Sequence, residues 1–246
     1  MSSTRSYGRT NFETRPITIT PDAVPNAEGS ALVEFGNTKV LCAATVEESI
    51  PKFLQGKGQG WITAEYDMLP RATNTRSQRS RGANGVKGRT QEIQRLIGRA
   101  LRSAVDLSVV GPRSITIDCD VIQADGGTRT ASITGGYVAL ALAMKWMHRR
   151  GMVKISPATL QVAALSVGIV DGEVRVDLDY IEDSSADVDL NVVMTANDEF
   201  VEVQGTGEKT GFPRKSLDGM LDAAQPALQH IFTLQRRAIG ESKQFG

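Results

Sequence analysis

The spacing of apolar and polar residues changes period several times along this chain, and each change predicts an element. Residues 1–16 have no period and read as an irregular arm. Ala31–Phe35 and Thr38–Glu47 alternate or run apolar, with Gly36-Asn37 between them, which predicts a β-hairpin. Gly56-Lys57-Gly58-Gln59-Gly60 reads as a flexible glycine loop leading into a strand over Trp61–Met68. The stretch 71–88 is polar, basic and aperiodic, so a mobile loop is expected there. A helical period then begins. Ile93, Leu96, Ile97, Ala100, Leu101 and Ala104 fall on one face of a helix over Arg89–Val105, with Arg95, Arg99 and Arg102 on another.

Ser114–Ile122 returns to strand alternation. A second helix, capped by Thr130 or Ser132, runs to about Arg149, where His148, Arg149 and Arg150 suit a C-terminal turn. Val162–Val170 and Glu173–Asp177 flank Asp171-Gly172, the strongest short hairpin signal in the chain. Asp189–Met194 and Phe200–Gln204 predict two more strands, and Leu217–Arg237 a closing amphipathic helix. Strands followed by helices, twice over, predict an α+β or mixed α/β arrangement with helices packed on mixed sheets. With no repeat, low-complexity tract or long linker, one domain over 1–246 is expected.

Composition narrows the class without naming a function. The chain of 246 residues is 40% hydrophobic and 23% charged, as a globular protein should be. Its formal net charge is zero, so global charge does not announce a nucleic-acid binder. The distribution does more. Between Arg71 and Arg102 nine basic residues face one acid, Glu92, a local +8. Between Asp171 and Asp189 eight acids face Arg175 alone. Cys42 and Cys119 lie in apolar runs and read as buried free thiols of a reducing compartment. No apolar run reaches membrane-spanning length, and the polar Met1–Thr10 lacks an apolar signal region, so a cytoplasmic location is expected.

Three stretches carry candidate chemistry. The first is Gln123-Ala124-Asp125-Gly126-Gly127-Thr128-Arg129-Thr130. Two glycines allow a sharp turn, and a helix begins just after. A glycine turn, a helix N-terminus and an arginine make a socket for an anion, best matched by phosphate. Neither a P-loop nor a dinucleotide fingerprint is present, so neither ATP nor NAD is supported. An ordinary strand-to-helix turn with an exposed arginine is the competing reading. Arg89 opens a second helix directly after Gly88, and two guanidinium forks facing across a cleft grip phosphate well.

The second stretch holds Asp177, Asp183 and Asp189, spaced six apart. Such carboxylates either converge to hold Mg²⁺ or Mn²⁺, or supply a general acid, or form a solvated acidic hairpin. The third is the basic loop with Arg71, Arg76 and Arg79. Spaced arginines suit RNA backbone phosphates, and the scarcity of aromatics argues for charge and shape over base stacking. The competing reading is a solubilising loop. His148 and His230 read as helix-surface residues, and no Ser/His/Asp or Cys/His set is evident.

These blocks, in order, resemble the ribonuclease PH family, phosphorolytic 3′-to-5′ exoribonucleases related to polynucleotide phosphorylase and the exosome ring subunits. The resemblance rests on Ala27–Ser30, Gly58–Tyr66, Met68–Arg71, Gly88–Ile97, Asp118–Val121, Asp125–Gly135, Tyr180–Asp183, Asp189–Val192 and Glu202–Thr206. It implies an α+β ribonuclease PH domain. It also implies a phosphate site at Arg89, Gly127, Thr128 and Arg129, and catalytic and metal-holding carboxylates at Asp183 and Asp189. Asp177 is a further metal candidate, and Arg71, Arg76 and Arg79 match the family's tRNA contacts. Ser80 departs from the acid expected after Arg79 in many relatives. The resemblance further implies Mg²⁺ or Mn²⁺, inorganic phosphate as co-substrate, tRNA precursors with 3′ extensions as substrate, and a homohexamer built as a trimer of dimers. It also brings in a reversible nucleotidyltransferase activity. A non-catalytic RNA-binding ring subunit is the alternative.

Overall fold

Two sheets and the helix between them place everything that follows. The computed structural model describes residues 5–79, 88–153 and 160–242. Its strands are β1 (Ile17–Pro21), β2 (Gly29–Phe35), β3 (Thr38–Glu47), β4 (Trp61–Met68), β5 (Ser114–Gln123), β6 (Val162–Val170), β7 (Glu173–Val176), β8 (Val188–Thr195) and β9 (Phe200–Gly207). Its helices are α1 (Gly88–Arg102), α2 (Leu107–Val110), α3 (Thr128–Arg149), α4 (Tyr180–Ser185) and α5 (Arg214–Glu241).

The first sheet has the order β1-β2-β3-β5-β4 and the second β7-β6-β8-β9. All pairings are antiparallel except β4 with β5. A parallel pair needs a crossover, and the segment carrying α1 and α2 supplies it. The α+β expectation holds. Cys42 and Cys119 are register partners across β3 and β5, free and buried, with their sulfurs 3.9 Å apart.

Helix α3 is apolar or small almost all round, and nearly every residue from Thr130 to Met144 is buried. Such a helix belongs inside the molecule. It packs on β2, β3 and β5 of the first sheet and on β6 of the second. Close approach requires glycine at position 135, where a Cβ would lie 2.7 Å from Val33 Cγ1 and 2.9 Å from Cys42 Sγ. From α5, the buried Gln235 donates to Thr134 O and Val162 O at 3.0 Å each, tying helix to helix and to β6.

The hairpins at Gly36-Asn37 and Asp171-Gly172 form as the spacing predicts. Helix α3 starts at Thr128, earlier than the hydroxyl cap expected at Thr130 or Ser132, because Gly127 adopts the left-handed N-cap conformation. Helix α4 lies within the acidic stretch, for which the spacing predicts no helix. Asp179 caps it and Glu182 returns the bond in a capping box. The aperiodic arm is irregular but anchored: Arg5 meets Glu182 at 2.6 Å and Arg9 meets it at 2.9 Å. Of the basic loop, residues 69–77 are tied back to the first sheet, with Ala124 N donating to Ala72 O at 2.8 Å. Ser80, Arg81 and Lys87 lie outside the described residues.

Candidate active site

Gly126 and Gly127 occupy consecutive left-handed conformations, at φ +74° and +65°. Residues with a Cβ adopt these poorly, so the pair of glycines is what lets β5 turn straight into α3. No side chain caps α3. Its first N–H groups and positive dipole end are left for another acceptor. Thr128 and Arg129 are its first two residues, and both line a cleft of about 1370 Å³.

That cleft gathers residues from both sheets. Arg89 reaches it from the first turn of α1. Gly127, Thr128 and Arg129 come from α3, Asp183 from α4, Asp189 from β8, and Gln204 from β9. The expected phosphate residues and two of the expected carboxylates therefore share one cavity.

Asp177 does not join them. Its carboxylate is 1% exposed and engages Arg15, accepting from Nη2 at 2.7 Å, Nε at 3.0 Å and the backbone N–H at 2.7 Å. The guanidinium and the backbone N–H of Arg15 occupy both carboxylate oxygens, and burial fixes the pair. The acidic block thus splits. Asp177, Asp179 and Glu182 turn inward to the arginines of the arm, while Asp183 and Asp189 turn to the cleft.

Arg71, Arg76 and Arg79 are exposed. They do not line the cleft, but Thr73, Asn74 and Thr75 of the same loop do. The loop that carries them thus forms part of the cleft wall.

Electrostatics divides the two cleft aspartates from ordinary ones. Burial, then the charge of Asp183, pushes the Asp189 carboxyl up to about 6. Burial also raises Asp183, against the opposing pull of Arg129 and Arg89. Asp189 Oδ1 is buried and has no hydrogen-bond partner, whereas Oδ2 accepts from Asn191 Nδ2 at 3.4 Å. An unsatisfied buried carboxylate oxygen is costly and calls for a cation or a proton. Two hard oxygen donors side by side suit Mg²⁺ or Mn²⁺. Among the described residues no group of three or more His, Cys, Asp or Glu side chains could hold a metal ion. Such an ion would complete its shell from substrate phosphates and water.

Three residues at the site escaped the sequence reading. The Tyr66 hydroxyl lies 2.8 Å from Thr128 Oγ1. Burial pushes its pKa up to about 12, so it stays neutral and can serve as donor or acceptor. Gln204 accepts from Arg129 Nη1 at 2.9 Å and donates to Glu92 Oε1 at 2.9 Å, aiming the guanidinium. Tyr66 alternates inward on β4 like any core residue. Gln204 and Glu92 meet only because α1 and β9 flank α3's first turn.

The comparisons identify the family and the fold. The model of the 3′ exoribonuclease family, domain 1, matches residues 13–145, and that of domain 2 matches residues 161–227. Ribonuclease PH of Corynebacterium glutamicum (strain R) is 57% identical over 239 residues, covering 97% of this chain and 98% of that one. Rice (Oryza sativa) Rrp46 superposes with a TM-score of 0.78 at 17% identity, covering 96% of this chain and 100% of that one. A chain of the Archaeoglobus fulgidus exosome with RNA bound to the active site gives 0.73 at 24% identity, covering 94% and 93%. At these identities the two structures speak to the fold.

Proposed function

Since this chain belongs to the 3′ exoribonuclease family, we propose that it is a ribonuclease PH-type phosphorolytic enzyme trimming RNA from the 3′ end. One observation carries the reading: an uncapped helix N-terminus with arginines beside it opens into the same cleft as two half-buried aspartates. Inorganic phosphate is held by Arg89, Arg129, the Thr128 hydroxyl and the N–H groups after Gly127. It attacks the last phosphodiester of the RNA. A nucleoside diphosphate leaves, and the RNA ends in a new 3′-hydroxyl. Two anions must meet, so neutralising their repulsion is the central task.

The arginines perform part of that neutralisation. When bound, Mg²⁺ or Mn²⁺ supplies Lewis-acid stabilisation of the phosphoryl oxygens. Asp183 and Asp189 would hold the ion, and the raised Asp189 carboxyl is also suited to carry the proton given to the leaving 3′-oxygen. One phosphoester-type bond replaces another, so nucleotides are added back from diphosphates when phosphate is scarce.

The reading extends to tRNA precursors with extra 3′ residues as substrate, with Arg71, Arg76 and Arg79 on the backbone phosphates upstream of the cleft. It includes a homohexamer arranged as a trimer of dimers. It also includes a cytoplasmic location. The two buried free thiols suit a reducing compartment, and among the described residues no helix is long and apolar enough to cross a membrane. Coexistence of the anion turn and the carboxylates in one chain favours the enzyme over an inert ring subunit.

The test is to incubate the protein with RNA, with and without phosphate, and identify the released nucleotide. Diphosphates formed only with phosphate support the assignment. Monophosphates formed without it would show that water is the nucleophile.

A further inference from the structure

Arg15 is 1% exposed and is the largest of the fully buried side chains. None of the chemistry above uses it. Its Nε and Nη2 are taken up by Asp177, leaving Nη1 to point elsewhere. Nη1 donates to the carbonyl of Asp125, the residue that begins the anion turn, and lies 3.5 Å from Thr38 Oγ1. Thr38, itself fully buried, completes the arrangement. Its hydroxyl accepts from Asp125 N at 3.0 Å and donates to Gly126 O at 2.7 Å. A Cβ on Gly127 would sit 3.3 Å from Arg15 Nη2, so the guanidinium is packed directly against the turn.

Asp125, Gly126 and Gly127 line the cleft, whereas Arg15, Thr38 and Asp177 do not. The carbonyls of Asp125 and Gly126 are thus fastened from behind. Fixing them sets the direction of the peptide planes that precede α3. An apolar pair in place of Arg15 and Asp177 could join the arm to the second sheet equally well. It could not fix the direction of a carbonyl.

We infer that Arg15, Asp177 and Thr38 are positioning residues, a buried clamp that aims the N–H groups of residues 126 and 127, and with them the start of α3, at the phosphate co-substrate. The inference rests on the phosphate reading of the cleft. It predicts a defect confined to phosphate, because the clamp makes no hydrogen bond to the cleft carboxylates or to the RNA-facing loop, and the variants below keep the positive charge that acts on Asp183.

The experiment uses the full-length enzyme carrying Thr38→Val, Thr38→Ser or Arg15→Lys, with phosphate and RNA varied independently. Valine keeps the volume of threonine and removes both hydroxyl bonds, serine restores them, and lysine keeps the charge opposite Asp177 but loses the fork. Thr38→Val and Arg15→Lys should each raise the KM for phosphate about tenfold, the loss of roughly one or two hydrogen bonds' worth of alignment. The KM for RNA should stay within about twofold, and Thr38→Ser should match wild type.

An unmoved phosphate KM overturns the clamp, as does a parallel change in both KM values. Failure of both variants to fold also overturns it, by assigning the cluster to the fold alone. If wild type itself runs without phosphate, the phosphorolytic reading falls. If wild type needs phosphate and the variants keep its KM, only the clamp falls.

Discussion

Replacing Asp189 by asparagine removes a charge that the fold works against. Burial and the neighbouring Asp183 carry its carboxyl from an ordinary 3.8 to about 6. At about 1.4 kcal/mol per pH unit, the ionised form in the folded protein is disfavoured by on the order of 3 kcal/mol relative to the unfolded chain. The sign follows directly. Because the folded value is the higher one, the folded state holds its proton longer. The penalty is therefore absent below about pH 4 and grows as pH rises towards 6, staying constant above it.

Asparagine keeps the shape and never ionises. Asp189→Asn should therefore be more stable than wild type at pH 8 without divalent ions, by roughly 1–3 kcal/mol. The difference should vanish near pH 4, and phosphorolysis should be lost while RNA binding survives. Urea denaturation of both proteins at the two pH values, in a chelator, reads the stability difference. Adding Mg²⁺ should stabilise wild type and leave the variant unmoved. An equal stability difference at both pH values would refute the reasoning, since it would detach the effect from ionisation.

Other perturbations test other parts of the cleft. Arg89→Ala or Arg129→Ala should abolish phosphorolysis with the melting temperature nearly unchanged, each lost charge-assisted contact costing about 1.5–3 kcal/mol; full activity in steady-state assays would remove the arginines from the site. Tyr66→Phe leaves the Thr128 hydroxyl without its 2.8 Å partner and should weaken phosphate binding by roughly threefold to tenfold, measured as phosphate KM at fixed RNA. Gly126→Ala meets both a left-handed φ of +74° and a Cβ position 2.6 Å from Leu178 O. It should cost about 1–3 kcal/mol in chemical denaturation and more in activity.

What the sequence disclosed follows from what is local. The hairpins, the amphipathic α1 and the glycine turn are written in residues adjacent in the chain, and all of them form as expected. Arg89 and Arg129 stand out as phosphate candidates because each lies within two residues of a glycine at a helix start, a local signature. Which carboxylates face the cleft was not legible. Asp177, Asp183 and Asp189 look alike by spacing, and the difference is that Arg15, far away in the chain, takes Asp177. Likewise Gln204 and Tyr66 gain their roles from strands that pass beside α3. Their own neighbours in sequence say nothing of it. Short α4 was masked because its helix signal is a cap and a box within a run of acids, with no apolar period.

Helix α3 has a consequence for how such an enzyme adapts. Its N-terminus opens on the cleft, yet its body is wedged between two sheets, and Asp189 sits on the second one. The reach from the N-terminus of α3 to the Asp189 carboxylate is therefore a thickness, set by the volume of side chains such as Val33 and Cys42 along the helix. Adding or removing one methyl group there alters that separation without touching either end. Tuning of rate to temperature should accordingly be written in the small residues of the interior, leaving the cleft lining intact.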